Sequence, residues 1–270
     1  MYSLGKEVYT FVKSSRRITK ARGIRIRQGS GFHARTFPEL IERIAELSFR
    51  NPEYVLFYRG QSLDYRNSRG SSTFYPEIFR PEDKHRLPKR VSKQRFQSLS
   101  KLEKSLCEKY TFPGKSRIKK FQIIRWALLQ HYKVCATPLL DVTQSLRVAC
   151  TFAQHKAKRY GFVYAFAFFV TASSEEGLQI IRLLSICPPS ALRPYFQEGY
   201  LLGEYPTITL DASTNYDRKE LDFSRRLLCK FKIPTDSSFW PKHFDPIPMN
   251  ALFPDSRDPL VTMVSTLGTQ

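Results

Sequence analysis

Two stretches of the chain carry the side chains best suited to chemistry. In Tyr54-Val55-Leu56-Phe57-Tyr58-Arg59-Gly60-Gln61-Ser62 a β-prone apolar run meets a guanidinium and then a glycine. Val55 and Phe57 alternate with Leu56 and Tyr58 as in a strand buried on both faces, and Gly60 admits a close approach that a side chain would obstruct. This reading ends the strand at Tyr58 and sets Arg59 at its mouth, where a rigid fork of N–H donors suits a phosphate or carboxylate. Pairing with a core carboxylate is the structural alternative. In Gln130-His131-Tyr132 the imidazole is the side chain most readily poised as a general acid or base near neutral pH. Its neighbours Trp126, Leu128 and Leu129 equally suit a buried histidine satisfied by hydrogen bonds. Asp141 is the natural counterpart of either His131 or Arg59, because a buried charge requires a partner. The local pairs His131/Cys135 and Cys150/His155 invite comparison with zinc ligands. Five widely spaced cysteines without a CxxC pair read instead as buried thiols, with no disulfide framework and no metal.

Helices and strands must position these groups. Leu40, Ile41, Ile44, Leu47 and Phe49 give Thr36 to Phe49 an apolar helical face, ahead of the strand at 54 to 58. Residues 61 to 90 read as loop, followed by helices near 91–111 and 118–132. An extended segment, 137 to 143, leads into a helix from Ser145 to Lys156 that Asp141 or Thr143 is placed to cap. After Gly161 strands dominate: Phe162 to Val170, Gln179 to Ser185, Tyr200 to Leu202 and Tyr205 to Leu210, with a helix at about 217 to 231. Helices clustered in the first half and strands in the second predict an α+β fold with a mixed or antiparallel sheet.

The 270 residues carry 44 Lys and Arg against 24 Asp and Glu, a net charge of +20, so polyanions are the obvious partners. Arg16, Arg17, Lys20, Arg22, Arg25 and Arg27 lie in a basic arm expected to be a flexible tail for nucleic acid, so residues 1 to 36 are read as an extension of a domain spanning 37 to 270. A second basic block holds Phe96, Leu99, Leu102, Leu106 and Tyr110 at helical spacing, with Lys93, Arg95, Lys101, Lys104 and Lys109 filling the remaining turns. No apolar run reaches membrane-spanning length, and a cytoplasmic protein with no membrane partner is expected.

Phe57-Tyr58-Arg59-Gly60-Gln61, Ala127 to Tyr132 and Thr137 to Thr143, with Ala149 and Phe152-Ala153 beyond, resemble the FRG domain family, named for an aromatic-Arg-Gly motif. Gln197-Glu198-Gly199-Tyr200 is similar to its Gln-Gln-Gly-aromatic element and Leu252-Phe253-Pro254-Asp255 to its closing segment, so the likeness spans about residues 38 to 265. Lys133 stands where the family has glycine, Pro138 for arginine, Val142 for tryptophan and Glu198 for a second glutamine. The resemblance names a domain without naming a reaction. An Arg on an early strand, a Ser/Thr element and a later Glu follow the order of parts in ADP-ribosyltransferases, an analogy that implies an ADP-ribosyltransferase-like fold, a nucleotide-binding cleft and NAD as the candidate cofactor. In that analogy Glu198 stabilises an oxocarbenium-like state, Arg59 holds the pyrophosphate, and Thr143 or Ser145 orients the ribose or carboxylate. Tyr58 or Tyr200 stacks on nicotinamide, while Gly60, Gln61, Gln130, His131, Asp141 and Gln197 complete the cleft, with ADP-ribosyl transfer or NAD glycohydrolysis as the reaction. The alternative is a non-enzymatic, nucleic-acid-associated module using the arm and the basic helix. Family context adds a third reading, a module of a defence or stress-response system.

Overall fold

Aromatic and β-branched residues fill two long strands, β4 (Tyr54–Gln61) and β6 (Tyr160–Phe169), which pair antiparallel from Tyr54↔Phe169 to Gln61↔Phe162. Val163 to Phe168 are all buried, the continuous apolar pattern of a strand covered on both faces. The computed structural model describes residues 4, 7–13, 17–80, 87–170, 174–175, 178–204, 222–253 and 258–267. The expected strand at 205–210, the start of the expected 217–231 helix, Arg16 and Pro254-Asp255 lie outside the described residues.

In order the elements are β1 (Val8–Thr10), β2 (Thr19–Ala21), α1 (Gly23–Gln28), β3 (Phe32–His33), α2 (Phe37–Arg50), β4, α3 (Lys89–Lys109), α4 (Lys115–Lys120), α5 (Gln122–His131), β5 (Leu140–Thr143), α6 (Leu146–Gln154) and β6. There follow β7 (Ser174–Glu175), β8 (Leu178–Arg182), α7 (Leu183–Ile186), α8 (Leu192–Phe196), β9 (Gly199–Glu204), β10 (Leu227–Pro234), α9 (Met249–Leu252) and α10 (Pro259–Ser265). They form two units: unit 1 from Met1–Phe74, Val142–Glu176 and Asp222–Ile247, and unit 2 from Tyr75–Asp141, Gly177–Leu221 and Pro248–Gln270.

Unit 1 is built on a mixed sheet. β6 pairs antiparallel with both β4 and β10, β10 pairs parallel with β3 through Phe231↔Phe32, and β4 meets β5 at Tyr58↔Thr143. α6 packs on this sheet through Ala149 and Ala153, which are fully buried. Gly60 makes that approach possible, because a Cβ there would overlap the carbonyl oxygen of Ala149 and lie 2.6 Å from the amide nitrogen of Ala153. β4 continues through Arg59 and Gly60 to Gln61, so the expected strand end at Tyr58 is corrected. The glycine of this motif answers to a helix lying on it.

The basic N-terminal segment, expected as a flexible tail, is folded into unit 1 wherever it is described. Val8, Thr10, Phe11 and Ile26 are buried, while the cations Arg17, Lys20, Arg22 and Arg25 remain exposed. Lys230, in the middle of β10, anchors the segment by donating to the carbonyl of Gly29 at 2.9 Å. Residues 227–231, expected as helix, are strand, because Leu227 to Phe231 are buried throughout as in β6 beside them.

Unit 2 packs helices around a core in which Phe96, Leu99, Leu106 and Tyr110 of α3 meet Ile124, Ala127 and Leu128 of α5 and Leu260 and Val264 of α10. The helix expected over 118–132 is two, α4 and α5, parted at Phe121, whose φ of −111° and ψ of 108° are extended. β8 and β9 form an antiparallel pair in which Arg182 lies opposite Tyr200. The strand expected over 179–185 stops at Arg182, where α7 begins.

Candidate functional site

In unit 2 the sequence-predicted residues meet around His131. The last turn of α5 closes with the amide of Lys133 donating to the carbonyl of Gln130 at 2.9 Å and that of Val134 to the carbonyl of Leu129 at 2.8 Å. This ending requires a left-handed residue just beyond the helix, the position where glycine is usual, and Lys133 fills it at φ 55°. His131 is turned inward, its side chain only 3% exposed, with Nε2 3.4 Å from Oδ1 of Asp141, whose own side chain is 45% exposed. Gln197 acts on the imidazole to favour its protonated form, while His131 Nε2 is buried without a hydrogen-bond partner among the described residues. The Gln197 amide in turn donates to the carbonyl of Leu252 at 2.8 Å. Arg193 donates to the carbonyl of His131 at 3.3 Å. A Cβ on Gly199 would come within 3.1 Å of the imidazole Cε1, so β9 begins against the ring. Thr137 donates its hydroxyl to Gln130 and accepts the amide of Leu139.

Burial lowers the His131 pKa below its ordinary value. Asp141 and Gln197 oppose the shift and Arg193 reinforces it. The imidazole is therefore neutral at pH 7, backing a carboxylate that reaches solvent. α8 ends at Phe196 with Gln197 as its cap, and Glu198 follows with φ 44° and an exposed side chain. Its amide donates to the carbonyl of Tyr195 at 3.1 Å. Two helices of unit 2 thus end on a charged residue in a conformation glycine would adopt more cheaply.

The remaining predicted residues belong to unit 1. Tyr58 is buried, which pushes its phenol up to about 12. Thr143 accepts the amide of Ser145 at 3.0 Å, and Ser145 caps α6 by accepting the amide of Val148 at 3.4 Å. The cap is Ser145, where Asp141 or Thr143 was expected. Gln61 is half-buried opposite Phe162. Arg59, half-buried opposite Tyr164, lies on the face of β4 away from Gly60. Tyr164 leads to a cluster that sequence reasoning missed. Asp64 accepts from Lys230 Nζ at 2.7 Å, Ser72 Oγ at 2.6 Å, Tyr164 Oη at 3.1 Å and Arg66 Nε at 2.7 Å. Burial raises the Asp64 carboxyl, but hydrogen bonds and charge from Lys230, Ser72 and Arg66 outweigh it and leave the pKa lowered. Burial also lowers the Lys230 pKa against the pull of Asp64. The two shifts disagree about which form of the pair is favoured. The geometry favours the ionised one, since Nζ has carboxylate and carbonyl acceptors within 3.4 Å. A lone lysine between Cys229 and Phe231 was the signal that such a partner existed.

Burial raises the thiols of Cys135 and Cys187 to about 12 and that of Cys229 to about 11, and Cys150 moves the same way, so none of these is an activated nucleophile at neutral pH. Among the described residues no three His, Cys, Asp or Glu side chains assemble into a metal site, and no helix is long and apolar enough to cross a membrane.

Comparison with known proteins yields one finding. Residues 55–161 match the family model of the FRG domain, a stretch running from β4 into β6 that includes Arg59-Gly60, His131 and Asp141 and stops before Gln197-Glu198. No curated protein and no solved structure matches the chain. The aromatic-Arg-Gly strand, the Gln-His-Tyr helix end and this match identify the chain as a carrier of an FRG domain.

Proposed function

We propose that the polar centre of unit 2 binds a ribosyl nucleotide of the NAD type and cleaves or transfers its glycosidic bond. One observation carries the reading: Glu198 keeps an exposed carboxylate in the left-handed conformation, immediately after Gln197, which acts on the buried His131 imidazole 3.4 Å from Asp141. Strained residues persist where the surroundings or the function require them. A carboxylate beside the anomeric carbon stabilises the positive charge that develops as the base leaves with the bonding pair. Asp141, half-exposed and backed by a neutral imidazole, is placed to take the proton of the incoming hydroxyl. Arg59, in unit 1, is assigned no step in this version. The test is nicotinamide release, or label transfer from NAD, by the purified chain. Glu198→Gln is expected to abolish it and Asp141→Asn to slow it about 100-fold, the usual scale of a general base. A wild-type chain that neither binds nor consumes NAD while remaining folded removes the proposal.

A second reading rests on a separate observation. Lys89, Arg90, Lys93, Lys101 and Lys104 of α3 and Arg117, Lys119 and Lys120 of α4 are exposed, whereas of the two acids of α3 Glu108 is exposed and Glu103 is turned inward, held by Arg125 at 3.0 Å and Gln122 at 3.2 Å. A surface so depleted of acid suits a polyanion such as nucleic acid. Affinity for an oligonucleotide is then expected to fall with salt, by a log–log slope of about 0.9 per phosphate contacted on duplex DNA, and the slope to shrink when Lys101 and Lys104 become Gln. Salt-independent binding eliminates this reading. Deleting residues 1–30 is a poor test of it, since that segment holds buried core residues of unit 1.

A further inference from the structure

Unit 2 contains a pocket of about 280 Å³ lined by Tyr132, Lys133, Arg193, Val261, Val264 and Ser265. None of its cationic residues was singled out by their sequence context as a ligand contact, and the chemistry proposed for Glu198 does not use them. Lys133 Nζ lies 4.5 Å from the centre of the Phe253 ring, and the Arg193 guanidinium lies 5.6 Å from that same ring and 5.0 Å from Tyr132. Two cations are therefore gathered on one aromatic platform. Among the described residues no carboxylate forms an ion pair with either. Asp258 is fully buried and is occupied by the Tyr132 hydroxyl at 2.6 Å and the amide of Leu260 at 3.1 Å. The Arg193 Nε is buried without a hydrogen-bond acceptor among the described residues. Held together without a counter-charge among the described residues, like charges repel, and a buried donor without an acceptor carries a desolvation cost. Both costs are relieved by an anion. Lys133 adds a third sign of the same kind, since its φ of 55° is one that glycine would adopt with less strain.

We propose that this pocket is a binding site for a small organophosphate. The phosphate is bound by the ammonium of Lys133 and the guanidinium fork of Arg193, and the apolar part rests on Val261 and Val264. The volume is at the lower end for ligand sites, which fits a phosphate bearing one ring or a short chain rather than a whole dinucleotide.

Phenyl phosphate and inorganic phosphate serve as probes, titrated calorimetrically into the full chain at fixed ionic strength. Saturable binding is expected for both, tighter for phenyl phosphate, because only it reaches the valines. Lys133→Gly removes the ammonium while relaxing the backbone, so it is expected to weaken phenyl phosphate about tenfold without loss of stability. Arg193→Gln is expected to weaken it at least as much. Should Arg193→Gln fail to fold through loss of its bond to the His131 carbonyl, Lys133→Gly alone decides. Lys158→Gln, which removes an equal charge from an exposed position of unit 1, is expected to leave binding unchanged. Absence of saturable binding to the wild type overturns the proposal, as does a Lys158→Gln variant that loses as much affinity as Lys133→Gly.

Discussion

Each unit contains a cluster of charged and polar side chains, and the two are constructed on opposite terms. Around Asp64 in unit 1, lysine, arginine, serine and tyrosine all donate to one carboxylate, and the Lys230 side chain is fully buried. Around His131 in unit 2, the buried imidazole backs a carboxylate that is nearly half exposed, and the exposed Glu198 follows Gln197, which acts on that imidazole. The first arrangement spends every donor on holding the chain together. The second leaves acidic groups facing solvent, where they can meet a ligand. Buried, saturated charge is a structural device, whereas charge held at the surface by a buried support is what a binding site requires.

The largest expected difference comes from cutting each cluster at its centre. Asp64→Ala strands Lys230 in the core and is expected to cost about 3–5 kcal/mol in denaturant unfolding, the scale for breaking a buried pair. Asp141→Ala is expected to cost less than about 1 kcal/mol, since its partner is neutral and its carboxylate reaches water. Equal losses would erase the contrast between the clusters.

Gly60→Ala comes next. Its Cβ meets the backbone of α6, so a shift of the helix is unavoidable and about 1–3 kcal/mol of stability should be lost, with altered near-ultraviolet circular dichroism from the Tyr- and Phe-rich sheet. A variant as stable as wild type would show that α6 is free to move away.

The pH dependence separates the clusters again. His131 has a folded pKa below its ordinary value near 6.5, so the unfolded chain binds the extra proton, and the stability it contributes is present above pH 6.5 and lost as pH falls toward the folded value. Asp64, also lowered, keeps its contribution down to the ordinary carboxylate value near 3.8 and loses it only below that, as pH falls through its folded pKa. Stability should therefore decline in two stages on acidification. His131→Gln should flatten the first stage and Asp64→Asn the second.

Much of the architecture was legible because it follows from local rules. Leu40, Ile44 and Leu47 repeat at helical spacing and are buried, and Phe96, Leu99, Leu106 and Tyr110 do the same in α3. Ile41 and Phe49, read onto the same face as Leu40, are exposed at 45% and 80%, because the helix buries a narrower stripe than its apolar residues mark out. The 227–231 segment was misread because a buried strand and a buried helix share an unbroken apolar run. The partners of Gln130, His131 and Asp141 were partly legible, since a buried histidine needs a counterpart. Arg193 was not, because a cation between Leu192 and Pro194 carries no mark of what lies across the fold. The role of Gly60 could not be read either, since a packing glycine and a ligand-facing glycine look alike until the neighbouring helix is located.

The smallest energetic effect provides the most direct test of the account. Glu198→Gly relieves the left-handed backbone and is expected to stabilise the chain by about 1 kcal/mol in urea unfolding. If unit 2 holds a working centre, the same preparation should also lose NAD-dependent nicotinamide release or label transfer. A variant that gains stability and retains the wild-type rate would contradict the account, reducing Glu198 to a poorly chosen helix cap.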